Sequence, residues 1–131
     1  MMKIHITKFD LDRLHRLLDT RKPHDEYDRA LTAELANAEV VEAKAIPEDV
    51  ITMNSQVKFE DADGKHKIYW LVFPEDADLS ENKISVLSPV GCSLIGYKVG
   101  SEVVIPTPHG NKKLKVEEIL YQPERAGDFE N

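Results

Sequence analysis

The sequence predicts an α+β fold: a short N-terminal antiparallel helical hairpin (a short coiled coil, residues 1–46), then a mostly antiparallel sheet with one short helix (residues 47–131). Three observations carry this. Leucines recur at helical spacing up to about Ala45, Pro47 interrupts the pattern, and everything beyond it alternates in strand fashion between turn signals. A length of 131 residues suits one ordinary domain or a domain with an appendage.

The first helix follows Thr7, an N-cap with Asp10 three positions on, and its apolar stripe is Leu11, Leu14, Leu17 and Leu18. Asp19-Thr20-Arg21-Lys22-Pro23-His24 is a turn, because proline cannot continue a helix and disfavours helical geometry at Lys22. The second helix begins near Asp25. Its carboxylate caps the first turn, Glu26 and Asp28 complement the helix dipole, and Tyr27, Leu31, Leu35, Ala38 and Val41 form the stripe. Two such helices bury their stripes most simply against each other. An arm of about thirteen residues reaches only about 20 Å.

From Val50 the texture becomes strand-like. Val50-Ile51-Thr52-Met53 and Gln56-Val57-Lys58-Phe59 lead into the turn Asp61-Ala62-Asp63-Gly64, and Lys67–Phe73 returns as a second strand, rich in β-branched and aromatic residues. Trp70 lies within it and is expected in the core. Ile84–Leu87 is a short strand, Ser88 an N-cap with Pro89 at the first helical position, and Val90–Ile95 a short helix stopped by Gly96. Glu102–Ile105 and Leu114–Tyr121 form a last hairpin around Pro106–Asn111, and the tail after Gln122 is expected to be mobile.

Composition narrows the chemistry. Seventeen Lys and Arg against 24 Asp and Glu give a net charge of −7, which opposes non-specific attraction to nucleic acid or an anionic membrane. Residues 1–45 hold eight basic and nine acidic side chains (net −1) and residues 46–131 nine and fifteen (net −6), so the sheet region carries the acidity. A protein partner is expected, with no sequence-specific nucleic-acid binding. The single cysteine, Cys92, excludes an internal disulfide and fits a reducing compartment, hence the cytoplasm. No apolar run suits a signal peptide or membrane span.

Motifs for catalysis are lacking. The five histidines show no paired metal-ligand spacing, so no metal and no cofactor is expected. Gly91–Lys98 resembles a phosphate-binding loop, but Tyr97 stands where its lysine belongs and the glycines bracket a helix. Ser93 is not in a nucleophile elbow, and Cys92 sits among Val90, Leu94 and Ile95, as an inert buried thiol would. Glu75-Asp76-Ala77-Asp78 is a solvated acidic loop, and Arg13, Arg16, Arg21 and Lys22 make the first arm and tip basic, either for a nucleic-acid contact or, as the favoured reading, as a solvated surface with salt bridges to the acidic second arm.

Ile84–Gly91, with Ser93–Gly96, Val99–Val103 and Thr107–Gly110, resembles the C-terminal domain of the bacterial GreA/GreB transcription factors in order and spacing. Asp49–Ser55 and Tyr121–Glu124 through Ala126-Gly127-Asp128 make the chain resemble more closely still the Rnk regulators of nucleoside diphosphate kinase, over nearly its whole length.

The resemblance implies an FKBP-like C-terminal domain that docks on RNA polymerase at the rim of its secondary channel. It maps the docking loop onto Ser85, Ser88, Pro89 and Val90 and the hairpin tip onto Arg21, Lys22, Asp25 and Glu26. Gre factors carry acidic residues to the polymerase active site on long coiled-coil arms, where a catalytic metal is held for transcript cleavage. Here the arms are short. Asp25-Glu26-Tyr27-Asp28 also departs from the Gre D-x-x-E-[DE] pattern, so no cleavage stimulation is expected.

The expectation is therefore a monomeric, non-enzymatic, polymerase-binding regulator that competes with Gre-type factors. Two alternatives stand beside it: an interaction module for a different protein, the kinase included, and an FKBP-type prolyl isomerase. An isomerase wants an aromatic-lined cleft, and of nine aromatics only Tyr97 lies near the docking loop in sequence.

Overall fold

The computed structural model describes residues 3–21 and 24–129 and has mixed α+β architecture. The chain opens with β1 (His5–Thr7), then α1 (Lys8–Asp19) and α2 (Glu26–Asn37), and β2 (Glu39–Val41) lies parallel to β1. Five further strands form one sheet: β3 (Gln56–Glu60), β4 (His66–Val72), β5 (Lys83–Ser85), β6 (Glu102–Thr107) and β7 (Gly110–Tyr121), in the order β5-β4-β3-β7-β6. Helix α3 (Pro89–Leu94) follows β5. Neighbouring strands are antiparallel except β4 and β5, which run parallel.

Local chemistry starts both N-terminal helices where the sequence places them. The Asp10 N–H donates to Thr7 Oγ1 at 3.1 Å, and the Asp28 N–H donates to Asp25 Oδ1 at 2.8 Å in a full capping box. The two stripes meet within a larger core than the hairpin alone would make. Leu14, Leu18, Leu31 and Leu35 join one apolar cluster with Ile51, Met53, Leu94 and the inner face of the sheet. Two twelve-residue helices, about 18 Å long, are marginal alone and gain most of their stability from such packing.

Two elements differ from the sequence expectation for identifiable reasons. Val41 is not on the second helix: Ala38 leaves it with ψ 147°, and the β-branched pair Val40-Val41 continues as β2, where the Glu39 N–H donates to Ile4 O at 2.9 Å. Val50–Met53 is buried but outside the sheet. The Ile51 N–H donates to Tyr97 O (2.9 Å) and Ile51 O accepts from Gly96 (2.8 Å). The chain then reverses through Asn54, at φ 65°, before β3 begins.

Buried polar groups tie the remote segments together. Asp10, fully buried, accepts from the Met53 N–H at 3.0 Å and from Arg13 Nη2 at 2.5 Å, fastening α1 to the turn ahead of β3. Burial pushes its carboxyl up against the opposing pull of these partners. Arg13 lies over the rings of Phe9 and Phe73, 4.0 and 4.8 Å from their centroids. The start of the tail is tied to the body: buried Gln122 Nε2 donates to Pro47 O (2.9 Å) and Val50 O (2.7 Å), and Tyr121 Oη donates to Asp128.

Three smaller expectations also change. Trp70 is half-buried, its ring 5.7 Å from that of Tyr121, because the β4 alternation puts neighbouring Leu71 into the core instead. The last hairpin is tighter than expected. Pro106 stays in β6, an edge strand that tolerates a missing N–H, and Thr107 pairs with Gly110 at φ 108°. The short strand ahead of α3 ends at Ser85, and Val86-Leu87 already belong to the turn.

Candidate docking site

The turn from β5 into α3 is held by its own hydroxyls. The Leu87 N–H donates to Ser85 Oγ (3.0 Å), Ser88 Oγ donates to Ser85 O (2.7 Å), and the Gly91 N–H donates to Ser88 Oγ (3.0 Å). Ser88 is thus the N-cap and Pro89 the first helical residue. Gly91 is required by close approach: a Cβ there would lie 2.0 Å from Ser85 O and 2.9 Å from Val86 Cα. Gly96 is required twice over, by φ 82° and by Ile4, whose Cβ would stand 2.6 Å away.

Beside this turn lies a groove of about 530 Å³ lined by Ser88, Pro89 and Val90 together with Phe59, Tyr69, Leu79 and Ile84. Phe59 and Tyr69 stack with centroids 5.7 Å apart. Leu79 is 76% exposed in the acidic loop between β4 and β5. The lining carries charges of both signs, Asp61 and Asp63 with Lys67, Lys112 and Lys113. The Lys65 N–H, helped by the Asp63 N–H and the nearby lysine charges, holds the Asp61 carboxyl below its ordinary range.

Of the four expected docking residues, Ser88, Pro89 and Val90 line the groove, while the Ser85 hydroxyl is engaged within the turn. The aromatics beside the turn are not the one expected from sequence proximity. Tyr97 lines a separate crevice with Tyr27, Glu34 and Cys92, and it is Phe59 and Tyr69, from β3 and β4, that stand beside the β5–α3 turn. Strand alternation puts both on one face, but only the register, with Val57 opposite Tyr69 and Phe59 opposite Lys67, brings them side by side. Nothing in the sequence marks Leu79.

At the other candidate position, Arg21 Nε donates to Asp28 Oδ2 at 3.2 Å, with Asp25 4.0 Å away, and Asp25 is occupied as the cap. The Asp28 N–H, with that of Tyr27 and the Arg21 charge, lowers the Asp25 carboxyl pKa. Glu26 is exposed, and Lys22 lies outside the described residues. Cys92 is buried and burial pushes its thiol up, as an inert thiol requires. Among the described residues no helix is long and apolar enough to cross a membrane.

The opposite face of the sheet gathers a cluster that sequence spacing does not reveal. Glu60, His66 and Glu117, from β3, β4 and β7, bring ligand-type atoms within 4.8 Å of one another.

Comparison with known proteins agrees with this architecture. Residues 46–121 match the family model described as transcription elongation factor, GreA/GreB, C-terminal, and residues 3–41 match the Rnk N-terminus. The chain is 42% identical over 102 residues to the regulator of nucleoside diphosphate kinase of Escherichia coli (strain K12), covering 76% of this chain and 75% of that protein. It is 41% identical over 90 residues to transcription elongation factor GreA of Syntrophus aciditrophicus (strain SB), covering 68% of this chain and 56% of that one. The solved prokaryotic transcription elongation factor GreA/GreB from Nitrosomonas europaea matches with a TM-score of 0.79 at 40% identity, over 92% of this chain and 100% of that one. The chain accordingly belongs to the GreA/GreB family of transcription elongation factors, as a member with an Rnk-type N-terminus.

Proposed function

We propose that this chain is a monomeric, cytoplasmic transcription regulator that binds RNA polymerase at the rim of the secondary channel, competes there with Gre-type factors and does not stimulate transcript cleavage. Residues 47–131 form the docking domain, FKBP-like in its sheet and single short helix, and residues 1–46 the short hairpin. The observation that supports this reading most is the groove beside α3. Ser88, Pro89 and Val90 line it, Leu79 projects at its edge, and the Ser85–Ser88 hydrogen bonds set its geometry in advance. Helices of twelve residues, about 18 Å long, support the absence of cleavage stimulation, since the arms reach too little beyond a rim-bound domain.

The test is a pull-down of purified core RNA polymerase by the wild-type protein and by Ser88→Lys/Pro89→Glu, with circular dichroism to check the fold. Binding by the wild type that is lost in the folded variant, and is displaced by a Gre factor, is the expected result. A wild-type protein that fails to bind core polymerase overturns the proposal and leaves an interaction module for another protein. The Phe59–Tyr69 pair favours one further reading, prolyl isomerisation in the same groove. A proline-peptide assay with no rate above background dismisses it.

A further inference from the structure

Three adjacent strands present the Glu60, His66 and Glu117 side chains on the sheet face opposite the groove. Glu60 on β3 stands directly across from His66 on β4, a pairing that holds Cβ atoms about 5 Å apart. Glu117 reaches the same spot through a bulge. Lys58 pairs with Glu118 and Phe59 with Val116, so Glu117 is the extra residue of β7, and such insertions re-aim a side chain. His66 Nδ1 contacts Glu117 Oε1, while the Glu60 side chain makes no hydrogen bond or ion pair among the described residues. Lys115, opposite Glu60 in the ladder, forms no ion pair with it. Two carboxylates and an imidazole thus converge on one point of the sheet.

We propose that Glu60, His66 and Glu117 form a binding site for a divalent transition metal of zinc chemistry. One nitrogen and two carboxylate ligands match a three-residue zinc site whose fourth position stays open to water or to a partner's ligand. The imidazole selects against Mg²⁺ and Ca²⁺, which take all-oxygen shells. Bonds of about 2.0–2.1 Å in a tetrahedral shell set ligand atoms roughly 3.4 Å apart. To reach that spacing the Glu60 carboxylate draws in while the His66–Glu117 contact opens to admit the ion, and the exposure of His66 (53%) and Glu117 (24%) leaves both side chains room to adjust. The ladder supplies the preorganisation: Glu60 and His66 are direct partners across β3 and β4, and Glu117 stands between Val116 and Glu118, which are themselves paired to β3.

The experiment is a zinc titration of the full chain by calorimetry, with Co²⁺ absorption as a second readout. The expected result is one equivalent of Zn²⁺ per chain, undisturbed by excess Mg²⁺ or Ca²⁺. His66→Ala, Glu60→Gln and Glu117→Gln should each weaken binding about tenfold or more, and a tetrahedral Co²⁺ band should vanish in the His66 variant. The exposed His15→Ala is the control and should bind as wild type. Circular dichroism excludes a folding defect in these surface variants. Zinc binding unchanged by His66→Ala, or no stoichiometric binding at all, overturns the site.

Discussion

Replacing Gly91 with alanine tests whether close packing against Ser85 and Val86 fixes the β5–α3 turn. The new Cβ would lie 2.0 Å from Ser85 O, 2.8 Å from Ser85 C and 2.9 Å from Val86 Cα, all backbone atoms that no rotamer change can move. Raising the shortest contact from 2.0 Å to at least 3.0 Å displaces α3 from β5 by at least 1.0 Å. Val86 N–H to Val72 O (2.9 Å) and the parallel register with β4 hold β5, so the helix must move. That shift stretches the 2.7 Å Ser88 Oγ–Ser85 O bond and disturbs the N-cap. Overpacking costs about 1–3 kcal/mol and a weakened cap about 1 kcal/mol, offset by up to about 1 kcal/mol of helix propensity. A net of about 2–3 kcal/mol lowers the melting temperature by roughly 8–12 °C. Differential scanning calorimetry reads this, with Gly64→Ala as the comparison. Gly64 has φ 79°, and a Cβ added there would meet no atom within 4 Å, so alanine costs only the local backbone strain, about 1 kcal/mol. A Gly91→Ala protein that melts within about 2 °C of wild type, or above Gly64→Ala, refutes the steric argument.

Gln122→Ala removes a buried amide that serves two carbonyls, of Pro47 and Val50. It should lower stability by about 3 kcal/mol in urea denaturation, and a loss under about 1 kcal/mol would mean that these carbonyls find other donors. Glu124 supplies a pH test. Burial raises its carboxyl pKa above the ordinary 4.5, against the Thr52 hydroxyl that donates to it at 2.7 Å. The folded state therefore holds this proton more tightly than the unfolded state, and stability is lost as pH rises from 4.5 through the folded value. Glu124→Gln, which keeps an acceptor for Thr52 and never ionises, should be more stable than wild type at neutral pH. The gap should close towards pH 4.5, and a difference that stays constant across chemical denaturation at both pH values contradicts the assignment.

What was legible in the sequence is what is settled within a few residues. The Thr7–Asp10 and Asp25–Asp28 caps, the Ser88-Pro89 helix start, and the Asp61–Gly64 turn, in which Asp61 Oδ1 accepts from Asp63 and Lys65, all form as their residue types require. Ser88, Pro89 and Val90 were found as candidate docking residues through family resemblance, and the groove they line was not. Val50–Met53 has strand composition and full burial, yet Ile51 bonds to Gly96 and Tyr97 and Met53 to Asp10, residues that no local pattern connects to it.

The sequence by itself determined the order of the three helices and of the five strands of the main sheet, the helix caps and the acidic, single-cysteine character of the chain, because capping and periodicity act over three or four residues. The β1–β2 pair formed by His5–Thr7 and Glu39–Val41 was not legible in it. Tertiary structure decided everything built from distant residues. Asp10 meets Met53 across 43 positions, His66 meets Glu117 across 51, and Gln122 reaches Val50 across 72. Strand register and the β-bulge at Glu117 choose the His66–Glu117 contact, and a shift of one residue in either would turn those side chains to the other face of the sheet.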